Sequence, residues 1–282
     1  MDAETRERYE EWKKRRIIQR LVMPGVGLFL MLILGILLLR ACSGGDEVIE
    51  NSSHSVVVRP PALSANYRDF DFTVYETDAI VLLSEEIDQE SFIVLVNKVF
   101  RLPEDYSPSD LVVPAVLSVG GVNNSDHFLR TEAAVALESM FAAALSEDEL
   151  TLWLSSGYRS HETQMMTHQH FVDLVGREEG EMISARPGHC EHQTGLAASV
   201  TAPSVGGYLI RGFSETVEGA WLRENAHRFG FIIRYPEGRE LVTGFLYEPW
   251  SLRYVGIPVA AYVFENDLVL EQYVLPYVLS QP

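Results

Sequence analysis

Ala185-Arg186-Pro187-Gly188-His189-Cys190-Glu191-His192-Gln193-Thr194-Gly195-Leu196-Ala197-Ala198-Ser199-Val200 reads as a polar loop that carries two histidines and a cysteine and runs into a short buried strand. Imidazole and thiolate are metal donors, so the loop has the makings of a metal-binding segment. Two other stretches belong with it. Upstream, Ser156-Gly157-Tyr158-Arg159-Ser160 places an arginine at the end of a strand. Downstream, Tyr247-Glu248-Pro249-Trp250-Ser251-Leu252-Arg253-Tyr254 sets a carboxylate beside a Trp, in what reads as a loop before another strand.

Around these stretches the apolar periodicity gives an α+β order. Thr131 to Leu145 carries Ala134, Leu137, Met140, Phe141, Ala144 and Leu145 at helical spacing, with Thr131 suited to cap it and Glu132 to its first turn. Leu150 to Ser155 alternates like a strand, and Ser160 can cap a second helix through about Val175. Gly195 to Val200 reads as a strand, and Thr216 to Phe229 as a helix with Val217, Trp221, Leu222 and Phe229 inward, closed by Gly230. Phe231 to Tyr235 and Leu252 to Val255 complete the strands, separated by the turn chemistry of Pro236-Glu237-Gly238-Arg239. Earlier, Phe92 to Val96 is a β-rich run, and Pro103, Pro108 and Pro114 mark an extended loop.

The three stretches, in this order and spacing, resemble the VanY-type D-alanyl-D-alanine carboxypeptidases, zinc enzymes that trim peptidoglycan stem peptides. The resemblance runs from about Val94 to Ser280 and takes in the opening segments Leu95-Val96-Asn97-Lys98 and Leu102-Pro103-Glu104-Asp105-Tyr106. It implies a small antiparallel sheet flanked by helices. The family pattern is S-x-H-x-x-G-x-x-x-D followed by E-P-W-H, in which the first His, the Asp and the last His hold zinc and the Glu is the catalytic base. Here Cys190 stands at the Ser, His192 matches the first ligand and Gly195 matches, but Ser199 stands at the Asp and Ser251 at the last His; Glu248 is kept. The resemblance also implies that Arg159 steadies a substrate carbonyl and that Gln164 contacts substrate.

A catalytic zinc needs three imidazole, carboxylate or thiolate ligands and an open position for water. With only His192 left of the three, the expected state is metal-free, and zinc returns only if the site is rebuilt, for instance from His189, Cys190 and His192. The plainer reading makes Cys190 a small packed residue and His189 a solvated one. Arg159 has its own plain alternative, a salt bridge to Glu248. Trp250 and Tyr247 are expected to pack their loop, and His161, His168, His170 and His227 to lie at or near the surface of helices.

The N-terminal part is of another kind. Residues 1–20 form a charged head ending in Lys13-Lys14-Arg15-Arg16 and Arg20, and Leu21 to Leu39 follows without a charge. Such a run spans roughly 28 Å as a helix, about the hydrocarbon thickness of a bilayer. The basic cluster before it puts the N-terminus in the cytoplasm and the rest outside. A cleaved signal peptide or a lipid-modified Cys42 would use the same residues; the length of the run argues against the first and Arg40 against the second. Residues 40–55 read as a Gly/Ser/acidic linker and 56–282 as an extracytoplasmic domain, in which only Ala79 to Leu83 suggests a short element before Phe92.

Eight basic and five acidic residues in the first forty leave 14 of the 22 basic and 35 of the 40 acidic residues for the remainder, a net charge of −21. That excludes nucleic acid as a partner and docking on anionic lipid. Two cysteines, Cys42 and Cys190, make no disulfide framework. The sequence thus points to a membrane-anchored carboxypeptidase-like protein that binds stem peptides or a cell-wall protein without cleaving them. A working carboxypeptidase with a rearranged metal site, and a scaffold in a division or wall-synthesis complex, are the alternatives.

Overall fold

The computed structural model describes residues 91–120 and 127–279. The expected head, transmembrane helix, linker and the element at Ala79 to Leu83 lie outside them. No helix among the described residues is long and apolar enough to cross a membrane.

A two-stranded ribbon pairs β1 (Leu111–Val112) with β2 (Leu129–Arg130). The main sheet has four antiparallel strands in the order β3 (Trp153–Ser156), β4 (Ala197–Thr201), β6 (Glu248–Tyr254), β5 (Phe231–Tyr235). Flanking it are α1 (Thr131–Asp148), α2 (His161–Val175), α3 (Arg177–Ile183), α4 (Val217–Asn225), α5 (Glu240–Thr243), α6 (Ile257–Glu265) and α7 (Leu270–Leu279). This is the α+β arrangement of small antiparallel sheet and helices.

The register of the sheet positions the site. Ser199 on β4 pairs with Ser156 on β3 on one side and with Ser251 on β6 on the other, so three serines cross the sheet in a row. Glu248 pairs with Tyr235 on β5 at the same end of the sheet.

Several local expectations change for identifiable reasons. Phe92 to Val96 is not a strand: the Arg253 guanidinium donates to the carbonyls of Phe92 and Val94 at 3.0 and 2.7 Å, taking the place of a neighbouring strand. Thr131 is the first helical residue rather than the cap. Arg130 holds the cap position without a side-chain cap bond, while the Thr131 hydroxyl donates to Asp110 O at 2.9 Å. Leu145, expected inward, is exposed, while Ala133 joins the buried face. The strand after α1 starts at Trp153 because the Leu150 amide closes the helix on Ala144 O, with Glu149 in the left-handed region. Glu248 opens β6 instead of lying in a loop before it. Ser160 caps α2 as read, accepting from Thr163 N, and Thr216, expected as the first helical residue, caps α4 by accepting from Gly219 N. The last turn of the helix expected to Phe229 tightens to 3-10 geometry and ends at Gly230, φ 84°.

Helices α3, α5, α6 and α7 were not legible in advance. The last two close the domain: Val263, Leu270, Tyr273 and Val274 pack with Leu95, Val99 and Phe100 of the N-terminal wrap against Ile232 and Val255. Within this apolar seam lies a charged cluster. Arg234 on β5 donates to Glu271 of α7 through both Nη atoms (2.9 and 2.6 Å) and to Glu191 through Nε (2.7 Å). Arg253 on β6 donates from Nη1 to the other Glu191 oxygen. All four side chains are almost wholly buried. Burial disfavours the Arg234 charge, but Glu271 and Glu191 outweigh it and hold its pKa well above the ordinary value. Two cations and two anions balance, which is what makes such a cluster tolerable in a core.

Candidate functional site

The loop quoted first becomes a single 3-10 turn, Glu191–Thr194, ending at Gly195 in the left-handed region (φ 68°) before the chain enters β4. The loop is fastened to the end of β3 twice. Arg159 N donates to His192 O at 3.1 Å, and His192 Nδ1 lies 2.5 Å from Gly157 O. Because a carbonyl only accepts, Nδ1 carries the ring proton and Nε2 keeps its lone pair. Burial and the nearby Arg159 charge lower the His192 pKa to about 3, against a partly compensating bond to Gly157, so the ring is neutral. Gly157 owes its identity to a close approach: a Cβ there would stand 2.3 Å from Phe128 O.

His192 Nε2 lies 3.4 Å from Ser199 Oγ, and Ser199 faces Ser251 across the β4–β6 pair. Arg159 donates from Nη1 to Gln164 Oε1 (2.8 Å) and from Nη2 to Ser156 Oγ (3.2 Å). Gln164 is itself anchored, giving its amide protons to Ser184 Oγ and Ala185 O at 3.1 and 2.6 Å. His192, Ser199, Ser251, Arg159 and Gln164, with Cys190, Glu248 and Trp250, line one cleft of about 360 Å³ whose wall is partly apolar, including Phe171, Ile183 and Leu209. A second hollow of about 380 Å³ beside β5 takes in His227 but none of Arg159, Gln164, His192, Ser199, Glu248 or Ser251.

The carboxyl of Glu248 is half-buried in this cleft. Burial pushes its pKa up to about 7, while hydrogen bonding from Ser251, the Arg159 charge and hydrogen bonding from Trp250 pull it back. No ion pair joins Arg159 to Glu248 among the described residues; the arginine is oriented by Gln164 and Ser156 instead. Gln164 thus steadies Arg159 as well as lining the cleft.

Of the loop's other donors, Cys190 reaches the cleft wall and His189 does not. His189 is not solvated: its Nδ1 donates to Asn97 O at 2.7 Å, which ties the ring to the N-terminal wrap. Cys190 is a packed residue, as the plain reading had it, buried with Ala185, Tyr235 and Phe245. Burial raises its thiol pKa, which makes the thiolate scarce. Trp250 lines the cleft rather than only packing its own loop. His161 and His168 are half-buried and His170 is exposed on α2, while His227 is half-buried against Phe264, their rings 3.8 Å apart.

As a set for zinc, one imidazole nitrogen and two hydroxyls do not fit. A neutral serine hydroxyl is a poor zinc ligand, and no cluster of three His, Cys, Asp or Glu that could hold a metal occurs among the described residues. Nor does the Ser199–His192 contact make a nucleophile–base pair. An imidazole with a pKa of about 3, backed by a neutral carbonyl, holds a proton too weakly to activate a hydroxyl at neutral pH. What the cleft does offer is a fixed guanidinium with N–H donors beyond the two engaged by Gln164 and Ser156, suited to a carboxylate or carbonyl.

Comparison with known proteins decides the family. The sequence profile described as "VanY: D-alanyl-D-alanine carboxypeptidase" matches residues 126–257. The chain is 44% identical over 184 residues to the putative carboxypeptidase YodJ of Bacillus subtilis (strain 168), covering 65% of this chain and 67% of that protein. The chain belongs to the VanY family of D-alanyl-D-alanine carboxypeptidases. Among solved structures, the LdcB LD-carboxypeptidase, whose structure addresses peptidoglycan recognition, aligns with a TM-score of 0.64 at 42% identity, covering 67% of this chain and 87% of that one. A variant of the D,D-pentapeptidase VanY from a VanB-type vancomycin resistance cassette, solved with Zn(II), aligns at a TM-score of 0.54 and 29% identity, over 66% of this chain and 99% of that one. Within this VanY-family fold, Arg159, Gln164, His192, Ser199, Glu248 and Ser251 gather in one cleft.

Reading the sequence alone passed over Glu191, Arg234, Arg253 and Glu271. A signal was present for two of them: Arg253 interrupts an otherwise apolar strand run, and Arg234 does the same between Ile233 and Tyr235. A charge in the middle of a buried strand demands a counter-charge nearby.

Proposed function

We propose that this VanY-family chain is a membrane-anchored, extracytoplasmic protein that binds peptidoglycan stem peptides in its cleft without hydrolysing them. The observation that carries this reading is the pairing of Ser199 with Ser251 beside His192, where the family pattern has an aspartate and a histidine. Glu248 keeps the place of a general base, but no group beside it activates a water for it to deprotonate. The peptide-binding half of the cleft supports retained recognition: Arg159 is held in one orientation by Gln164 and Ser156, with donors left for a peptide carboxylate or carbonyl. Anchoring rests on the basic residues before Leu21 and the uncharged run to Leu39.

The test is metal content, binding and turnover on the same preparation. The purified chain should hold well under one equivalent of zinc after mild chelation. It should leave a stem peptide ending in D-Ala-D-Ala intact and bind it weakly, on the order of 10 µM to 1 mM. Arg159→Ala should weaken that binding by roughly 1.5 to 3 kcal/mol, the scale of a hydrogen bond to a charged group. Stoichiometric zinc with release of D-alanine would replace this reading with that of a working carboxypeptidase. Absence of binding to any stem peptide would favour the scaffold role.

A further inference from the structure

Glu191 lies between Cys190 and His192 in the cleft wall, and its carboxylate is buried against two core arginines. Its two oxygens take different arginines from different strands: Oε1 accepts from Arg234 Nε at 2.7 Å and Oε2 from Arg253 Nη1. Arg253 lies two residues after Ser251 on β6, and Arg234 precedes Tyr235, a cleft residue of β5. One carboxylate therefore pins the turn that carries His192 to both strands bearing the far wall of the cleft. The arginines are fixed in turn from outside the sheet. Glu271 of α7 grips Arg234 by both Nη atoms and accepts from Asn97 Nδ2 at 3.2 Å, and the backbone carbonyls of Phe92 and Val94 hold Arg253.

We infer that Glu191 is a positioning residue of the cleft, which sets His192 against Ser199 and Ser251 through Arg234 and Arg253. Two features separate this from charge balance alone. The clamp is divided, one oxygen to each strand, so it fixes the turn in two directions; a balanced pair would need only one arginine. Its effect also arrives at a defined residue: His192 is fastened by its ring to Gly157 O and accepts at its carbonyl from Arg159 N, while Gln193 ties the turn to the carbonyls of Pro103 and Tyr106 on another side. Outer hydrogen bonds of this kind orient the groups that meet a ligand without touching it.

The experiment compares Glu191→Gln and the charge-balanced double variant Glu191→Gln/Arg253→Gln with the unaltered full chain. The readouts are thermal melting, the His192 ring signals in long-range proton–nitrogen NMR, and the affinity for D-alanyl-D-alanine. The unaltered chain should show the His192 Nδ1–H tautomer with a slowly exchanging proton, as its bond to Gly157 O requires. Glu191→Gln leaves two buried arginines facing one carboxylate and should melt far lower. The double variant restores charge balance and should recover much of that stability. It should still lose or broaden the slow Nδ1–H signal and bind the dipeptide about tenfold more weakly. Recovery of the Nδ1–H signal and affinity together with stability would overturn the inference, since charge balance would then be the whole role of Glu191. A double variant as unstable as the single one would overturn it too, because the cluster would then be indispensable to folding rather than to the cleft. The binding arm rests on the reading of the cleft as a peptide site, but the ring signal does not. If the unaltered chain fails to bind the dipeptide, that reading falls and the Nδ1–H comparison still decides the role of Glu191.

Discussion

Replacing Ser199 by Asp and Ser251 by His in one chain should create a zinc site that neither change creates alone. The two positions are direct partners on β4 and β6, so their side chains leave the same face of the sheet about 5 Å apart. His192 already presents the lone pair of Nε2 to this spot, 3.4 Å from Ser199 Oγ, with its proton held at Gly157. A carboxylate and a second imidazole would complete a three-ligand set with a fourth position open, and the cleft of about 360 Å³ has room for the larger side chains. Residues outside the ligand shell change metal affinity by roughly 10- to 100-fold. Adding a ligand should count for at least the upper figure, so two together should tighten zinc binding by about 10⁴-fold or more. That is about 5.5 kcal/mol at 1.4 kcal/mol per decade. Zinc at a hundred times the dissociation constant then stabilises the folded state by about 2.7 kcal/mol. For a domain of this size the melting temperature should rise by about 5 to 10 °C. Melting curves with and without zinc, run on the unaltered chain, both single variants and the double variant, provide the measurement. Equal shifts in single and double variants, or none in the double, would refute the reasoning by showing that the three positions do not converge on one ion.

Three further outcomes follow from particular contacts. Glu248 has a pKa raised from 4.5 to about 7, so the folded protein binds more protons than the unfolded chain between those values, and stability should fall as pH rises across that window. Glu248→Gln should flatten this slope in denaturant titrations and gain on the order of 1 to 3 kcal/mol at pH 8, part of the full linkage being screened by solvent; an unchanged slope would assign the pH dependence elsewhere. Gly157→Ala forces a Cβ to within 2.3 Å of Phe128 O and should cost about 1 to 3 kcal/mol, read as a lower melting temperature; a variant that melts like the unaltered chain would show that the β3 end can shift freely. A reporter fused after Pro282 should be active only outside the cytoplasm, and activity inside would reverse the orientation read from Lys13 to Arg20.

The sequence by itself determined the parts of this protein that depend on local chemistry. Periodicity placed α1, α2, α4 and the strands that carry Ser199 and Arg234, and the cap at Ser160 was readable because a cap is a contact between neighbours in the chain. The family resemblance named Arg159, Gln164, His192, Ser199, Glu248 and Ser251, and the structure gathers all six in one cleft. Tertiary structure alone decided what each side chain touches. His189 and His192 are equally good donors on paper. One ring is tied to Asn97, ninety-two positions away, and the other to Gly157, thirty-five away, and only the second turns its free nitrogen to the serines. Phe92 to Val96 has the composition of a strand, yet a buried guanidinium from the far end of the chain takes its carbonyls. The salt bridge to Glu248 that the sequence left open as the alternative for Arg159 gives way to Gln164 and Ser156, because side-chain reach and register, rather than charge alone, choose the partner. The cluster of Glu191, Arg234, Arg253 and Glu271 joins residues from a loop, two strands and the last helix. Such a cluster has no local signature, since its energetics exist only once the fold has removed water from all four.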